Sequence, residues 1–169
     1  MYVLRAQDAA SAEPLAGLGP DPLSAEFTIE VLARAMKEHP GQLKRVITRQ
    51  RSVAGIGNAF SDEILWDARL SPFVPAARLS PDEVARLHTA IRNVFTAALQ
   101  EHRQRFGTQL PTSEPVELLR VHRHGGEPCP RCGTRIETVY YADKETYYCP
   151  SCQTAGKVYA DRRMSRLLK

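Results

Sequence analysis

The sequence predicts a mainly α-helical protein that ends in a small β-hairpin. Apolar residues repeat at helical spacing in several segments between residues 24 and 105. Residues 136–148 are instead rich in β-branched and aromatic side chains on both sides of a polar turn, predicted at residues 142–145. The chain's four cysteines lie in two pairs that flank this last segment. We therefore expect a helical domain followed by a hairpin that the cysteines organise.

The first two helices are predicted from apolar stripes and from the residues that stop them. Ser24 is a suitable N-cap for a helix whose apolar stripe runs from residue 27 to residue 36. The sequence His39-Pro40-Gly41 ends that helix. The apolar residues Leu43, Val46 and Ile47 mark a second, short helix that ends near residue 50.

A third helix follows a turn that contains two glycines. In Gly55-Ile56-Gly57-Asn58, the glycines allow the backbone to come close to a ligand, and Asn58 is the expected cap of a helix that runs to about residue 68. Exposed N–H groups at such a helix start suit a phosphate. By itself the pattern is weak evidence for a phosphate site, because a plain tight turn followed by a helix cap explains it better.

The longest helix has the clearest start signal in the chain. Ser80 is the expected N-cap, Pro81 suits the first helical position, and Glu83 completes a capping box. An apolar stripe then continues to about residue 105, and Gly107 ends the helix. Residues 109–123, which contain Pro111 and Pro115, are expected to form a linker.

The two CxxC pairs predict a metal site. Cys129 and Cys132 precede the predicted hairpin, and Cys149 and Cys152 follow it. This spacing is typical of four thiolates around one zinc ion, which is structural because no coordination position stays open. Two disulfides in a secreted domain are the alternative, but the N-terminus does not resemble a signal peptide. A redox pair fits less well, because redox CxxC motifs occur singly.

Charge is distributed unevenly along the 169 residues. Net charge is +4, with 13 Lys/Arg against 14 Asp/Glu in residues 1–119 and 10 against 5 in residues 120–169. A basic C-terminal end suggests a polyanionic partner, although a solvated surface explains the charge as well. No apolar run is long enough to span a bilayer, so we expect no membrane partner and a cytoplasmic location. We also expect a monomer.

Taken together, these segments resemble the formamidopyrimidine-DNA glycosylase and endonuclease VIII family of base-excision repair enzymes. The resemblance begins with Leu43-Lys44, Gln50 and residues 54–65 (AGIGNAFSDEIL), which are similar to a helix–two-turn–helix motif. It continues through residues 69–72 and 79–80, and then through residues 126–133 and 146–153, which are similar to the family's zinc finger. The implied fold is mainly α, with a helix–two-turn–helix domain followed by a small zinc-finger β-hairpin.

The resemblance implies roles for particular residues. Asn58, with backbone N–H groups near Gly57, would bind a phosphate that flanks a lesion in double-stranded, damaged or abasic DNA. Lys44 matches a family lysine that lies near the DNA backbone. Lys144 stands at the hairpin tip, where the family has an arginine that contacts phosphates and assists elimination, so it is the one catalytic candidate. One structural Zn²⁺ and a bacterial, nucleoid-associated protein are also implied.

The chain departs from the family pattern in the hairpin and in front of the finger. Lysine at position 144 keeps the charge of the arginine but loses its planar fork. Before the first cysteine pair the family has a YGRxGxPC pattern, in which Arg123 here replaces the glycine and His124 the arginine. These differences are also compatible with a structural or interaction domain that no longer binds DNA.

The resemblance also divides the chain into segments. Residues 1–17 would be the remnant of an N-terminal catalytic domain, 18–108 the helix–two-turn–helix domain, 109–123 the linker, 124–153 the four-cysteine zinc finger and 154–169 a basic tail. The family's catalytic Pro-Glu start is absent from Met1-Tyr2-Val3. We therefore expect the DNA-binding half of a bifunctional glycosylase and abasic-site lyase, and no borohydride-trapped adduct. The alternative is a non-enzymatic RNA- or ribosome-binding module.

Overall fold

The computed structural model describes residues 15–109, 116–141 and 144–159. In chain order the helices and strands are α1 (Ile29–Glu38), α2 (Leu43–Ile47), α3 (Asn58–Asp67), α4 (Pro81–Phe106), β1 (Glu137–Tyr141), β2 (Lys144–Tyr148) and α5 (Pro150–Gln153). Short 3₁₀ turns lie at Leu15–Gly17, Ala76–Arg78 and Val116–Leu118. Most of the expected domain remnant (residues 1–17) and most of the basic tail fall outside the described residues. None of the described helices is long and apolar enough to cross a membrane.

Helices α1 to α4 surround one apolar core. Leu32, Met36, Leu43, Ile64 and Leu87 are among its fully buried side chains. The stripe predicted from residue 27 to residue 36 does face this core, but the N-cap is four residues later than predicted. Thr28 caps α1, because its hydroxyl accepts from the Val31 N–H, and Ser24 instead bonds to the Asp21 carbonyl in a preceding turn.

Helix α4 begins as predicted and then leaves the core. The Ser80 hydroxyl accepts from the Glu83 N–H, and the Glu83 carboxylate accepts from the Ser80 N–H, which completes the capping box. The last fully buried side chain of the helix is Ile91. Beyond Ile91, Val94 and Phe95 still pack against the core but are only partly buried, and Phe95 stacks on Phe60.

The hairpin is a two-stranded antiparallel sheet. Its register pairs Glu137 with Tyr148 and Tyr141 with Lys144. We predicted that Lys144 and Glu145 belong to the turn, but both are in β2, so only residues 142–143, which lie outside the described residues, separate the strands. Lys144 is exposed at the start of β2. The hairpin thus places this side chain at its tip.

Helix α3 lies between the helical core and the finger, and this explains why seven of its ten residues are buried. Ile64 and Leu65 belong to the helical core, whereas Trp66 belongs to a second apolar cluster formed with the finger. Val121, Ile136 and Tyr147 complete the finger side of that second cluster. One helix therefore positions both of the candidate functional regions.

Candidate metal centre and nucleic-acid interface

The four cysteines converge on one point. Their sulfur atoms all lie within 4.8 Å of one another, with 3.4 Å between Cys132 Sγ and Cys149 Sγ and 3.5 Å between Cys152 Sγ and Cys132 Sγ. A tetrahedral zinc site with Zn–S bonds of about 2.3 Å has sulfur–sulfur edges of about 3.8 Å. No disulfide joins these four cysteines. The predicted four-thiolate site is therefore confirmed, and the donors fit a single structural zinc ion.

The finger is attached to helix α3 through the metal ligands themselves. The Trp66 indole N–H donates to Cys129 Sγ across 3.3 Å. The Arg131 guanidinium stacks on the indole at 3.8 Å and donates to the Trp66 carbonyl across 2.7 Å. Gln153 accepts from the Cys149 N–H and donates to the Leu70 carbonyl. The sequence did not predict these attachments, because the bonds that join the finger to residues 66–70 connect residues at least 63 positions apart in the chain.

The glycine turn before α3 is held by the side chain of Gln50. Its Oε1 accepts from the Gly55 N–H across 2.8 Å, and its Nε2 donates to the Ile56 carbonyl across 3.0 Å. Gly55 has φ +78°, which favours glycine, whereas Gly57 has an ordinary φ of −95°. A Cβ atom added to Gly57 would meet nothing within 4 Å. The surface over Gly57 is therefore open to the close approach of another molecule.

The structure brings three of the predicted site residues together around one carbonyl group. The Glu145 carbonyl oxygen accepts from Asn58 Nδ2 across 3.1 Å and from Lys44 Nζ across 2.8 Å. Lys144 is the residue before Glu145, and its charge acts on the Lys44 ammonium. Gly57, rather than Asn58, is the N-cap of α3, so the Asn58 side chain is not used as a helix cap and contacts the hairpin instead.

Lys44 is much less exposed than its predicted role suggests. Its side chain is 11% exposed, and its Nζ lies 2.6 Å from Asp62 Oδ1. Burial lowers the pKa of the Lys44 ammonium from its usual value, and the Asp62 carboxylate opposes that effect. Two of the three ammonium hydrogens are engaged within the described residues. Lys44 is therefore a mostly buried member of the group around the Glu145 carbonyl.

Two buried carboxylates of α3 extend this arrangement. Asp62 Oδ2 lies 2.7 Å from His122 Nδ1, and the Asp62 side chain is fully buried. Glu63 accepts three backbone N–H bonds, each 2.9 Å long, from residues 120–122. The end of the expected linker is thus fixed to the helical domain. Adjacent charged residues beside the apolar run Ile64-Leu65-Trp66 are the sequence signal that could have predicted buried, paired carboxylates.

The departures from the family pattern have clear structural correlates. Arg123 has φ +65°, a left-handed conformation that favours the glycine found there in the family pattern. His124 Nδ1 lies 3.0 Å from Glu127 Oε2. The finger thus keeps a backbone shape suited to glycine even where this chain has arginine.

Comparison with known proteins identifies the domain families to which these two regions belong. Residues 18–109 match the formamidopyrimidine-DNA glycosylase H2TH domain, and residues 126–155 match the zinc finger found in FPG and IleRS. The chain belongs to the formamidopyrimidine-DNA glycosylase family. The predicted family is therefore confirmed, and so is its zinc finger.

Two relatives show how much of the family the chain covers. It is 46% identical to an uncharacterized formamidopyrimidine-DNA glycosylase-like protein of Mycobacterium tuberculosis, over 90% of this chain and 94% of that protein. It is 39% identical to the formamidopyrimidine-DNA glycosylase of Chloroflexus aurantiacus, over 80% of this chain but only 50% of that enzyme. The chain thus spans about half the length of the relatives that are named as glycosylases.

Solved structures have the same fold. The MutM (Fpg) protein of Thermus thermophilus has a TM-score of 0.74 at 35% identity, over 89% of this chain and 59% of that one. A Lactococcus lactis Fpg mutant in complex with Fapy-dG-containing DNA has a TM-score of 0.75 at 27% identity, over 88% and 56%. The L. lactis Fpg has also been solved with DNA that contains an abasic site.

Proposed function

We propose that this chain binds damaged or abasic double-stranded DNA in base-excision repair, as the DNA-gripping region of a glycosylase and abasic-site lyase. The observation that carries the proposal is the contact between Asn58 and Glu145. It joins the helix–two-turn–helix loop and the zinc-finger hairpin tip on one surface. Structural relatives that share both elements have been solved with Fapy-dG-containing and abasic-site DNA.

Each proposed contact suits a phosphate. The open backbone at Gly57 and the start of α3 offer N–H groups. Asn58 adds its amide, Lys144 adds an exposed ammonium group, and Lys44 adds its remaining ammonium hydrogen. Contacts of this type fix the position of the duplex and do not select a sequence.

Titration of a duplex with one abasic site, at several salt concentrations, tests the proposal. We expect the logarithm of the affinity to fall linearly with the logarithm of salt concentration, by about 0.9 for each phosphate neutralised. Asn58→Ala should weaken binding, whereas Asn93→Ala, at an exposed asparagine of α4, serves as the matched control. Absent binding, salt-independent binding, or preferential competition by structured RNA would reject the proposal.

Chemistry on the DNA is tested separately on the same duplex. Lys144 occupies the position where the family pattern has its elimination-assisting arginine, and the proposed role of Lys144 is to hold phosphates. We expect no covalent adduct after borohydride reduction with residues 1–169, because Lys44 is engaged by Asp62 and Glu145 and Lys144 is assigned to phosphates. A trapped adduct would show that a different amine of this chain attacks the abasic sugar.

A further inference from the structure

Asp62 is the centre of a buried network that joins three separate parts of the chain. One oxygen of its carboxylate contacts Lys44 of α2 at 2.6 Å, and the other contacts His122, just before the finger, at 2.7 Å. The carboxylate is fully buried, and the side chains of both partners are at most 11% exposed. Such a group is unlike the surface ion pairs that contribute little to structure.

The network continues from Lys44 to the hairpin backbone. The Glu145 carbonyl accepts from Lys44 and also from Asn58 of α3, which uses both of its lone pairs. The peptide unit between Glu145 and Thr146, one residue beyond Lys144, is therefore held from two helices at once. Since the Lys44 ammonium is itself fixed by Asp62, the position of this peptide depends on a carboxylate that does not touch it.

A second path connects the network to the same residue of the hairpin. The His122 ring packs edge-on against the ring of Tyr147, with centroids 5.0 Å apart. The Tyr147 hydroxyl donates a short hydrogen bond to the Glu145 carboxylate, and burial together with this bond raises the pKa of Tyr147. The backbone of Glu145 is thus connected to the Asp62 carboxylate through Lys44. Its side chain is connected to the same carboxylate through Tyr147 and His122.

We propose that Asp62 and His122 are positioning residues for the hairpin tip: through Lys44 and Tyr147 they hold Glu145, and with it the Lys144 ammonium, beside Asn58. This inference rests on the proposed function, because it concerns how Lys144 and Asn58 reach the same stretch of DNA backbone. Buried charge networks often add little to stability compared with apolar packing, and fixing one geometry is their better-supported role.

A double-mutant cycle tests the proposal by measuring whether Lys144 still acts when the network is cut. In the otherwise unchanged protein, Lys144→Ala should weaken binding to abasic-site duplex about fivefold to tenfold at 0.1 M salt and reduce the salt slope by about 0.9. In a His122→Leu background, where the Asp62 contact is lost, Lys144→Ala should change the affinity by less than about twofold. His122→Asn, which places an N–H near the position of Nδ1, should restore part of the Lys144 effect, because it regains the contact with Asp62 but not the ring packing against Tyr147.

Two further variants separate positioning from loss of fold. Val84→Ala removes buried apolar volume in the helical core without touching the network, so it should leave the Lys144 effect intact even if it lowers the unfolding midpoint as much as His122→Leu does. Asp62→Asn keeps the shape of the side chain and removes the charge that holds Lys44. It should reduce the Lys144 effect as His122→Leu does.

The outcomes distinguish this inference from the function on which it rests. An undiminished Lys144 effect in the His122→Leu and Asp62→Asn backgrounds would overturn the positioning role and leave the proposed DNA binding in place. An equal loss of the Lys144 effect in Val84→Ala would also overturn it, since general destabilisation would then be the cause. If Lys144→Ala has no effect in the unchanged protein, the role of Lys144 in DNA binding is wrong, and the inference fails with it.

Discussion

At the scale of single residues, the glycines at positions 55 and 57 are needed for different purposes, one for the fold and one for an open surface. Gly55 is in the left-handed region, with φ +78°, and a side chain there is strained by about 1–2 kcal/mol. Gly57 is in an ordinary conformation with nothing within 4 Å of its missing Cβ. The backbone conformation therefore requires glycine at residue 55. At residue 57 the conformation does not require glycine, and the absence of a side chain instead leaves room for a DNA phosphate to approach the backbone.

Substituting each glycine by alanine should separate these two reasons. Gly57→Ala should lower the free energy of unfolding by less than about 1 kcal/mol, the cost expected at an N-cap, and weaken abasic-duplex binding at least about tenfold, because a methyl group blocks close approach of a phosphate. Urea denaturation and a binding titration measure the two effects. If Gly57→Ala binds as tightly as the unchanged protein, the backbone at residue 57 does not contact DNA.

Arg69 provides a second test at residue scale. It follows the C-cap of α3 with φ +55°, the position where helices commonly have glycine. Arg69→Gly should raise the free energy of unfolding by about 1 kcal/mol, because the left-handed strain disappears. Denaturant unfolding of the zinc-loaded protein measures the change, and a lower stability would contradict this account of the strain.

At the scale of elements, the sequence predicted the helices and the hairpin well and their attachments poorly. The capping box at Ser80 and the two CxxC pairs are local patterns, so they could be recognised from neighbouring residues. The hydrogen bond from Trp66 to Cys129 joins residues 63 positions apart, and that from Lys44 to Glu145 joins residues 101 positions apart. No periodicity encodes such pairs, which is why the Asp62 network and the docking of the finger became visible only in the structure.

Because the finger docks on α3, removal of the metal can be detected through Trp66, a residue of the helical domain. Trp66 is the chain's only tryptophan, 5% exposed, and it donates to a metal ligand. Chelation of zinc should shift its fluorescence to longer wavelength as the finger unfolds and the indole meets water, while helical circular dichroism is largely kept. Zinc added back should reverse the shift. An unchanged emission spectrum after zinc is removed would contradict the docking.

At the scale of the whole molecule, helix α3 is the common support of both modules. It contributes Ile64 and Leu65 to the helical core and Trp66 to the finger, and its Glu63 carboxylate holds the chain that joins them. The loop at its N-terminus contributes the open backbone at Gly57. The relative position of loop and hairpin therefore depends on one rigid element rather than on a flexible connection.

Removing the Glu63 carboxylate should destabilise the molecule as a unit. Glu63→Ala leaves three backbone N–H groups of residues 120–122 without their acceptor, which should cost about 3 kcal/mol or more of unfolding free energy. Glu117→Ala is the matched control, because its partner Arg105 is exposed and the pair contributes less than about 1 kcal/mol. Equal effects of the two substitutions in urea denaturation would show that Glu63 does not hold the modules together.

Amide chemical-shift mapping tests the central claim most directly, because it reports on the loop and on the hairpin in one experiment. The ¹⁵N-labelled, zinc-loaded chain is titrated with abasic-site duplex, and the amides of Gly57, Asn58 and Lys144 are followed. A single surface predicts that all three shift along curves that give one dissociation constant. Shifts confined to the loop or to the hairpin, or shifts with two different dissociation constants, would contradict a shared DNA-binding surface.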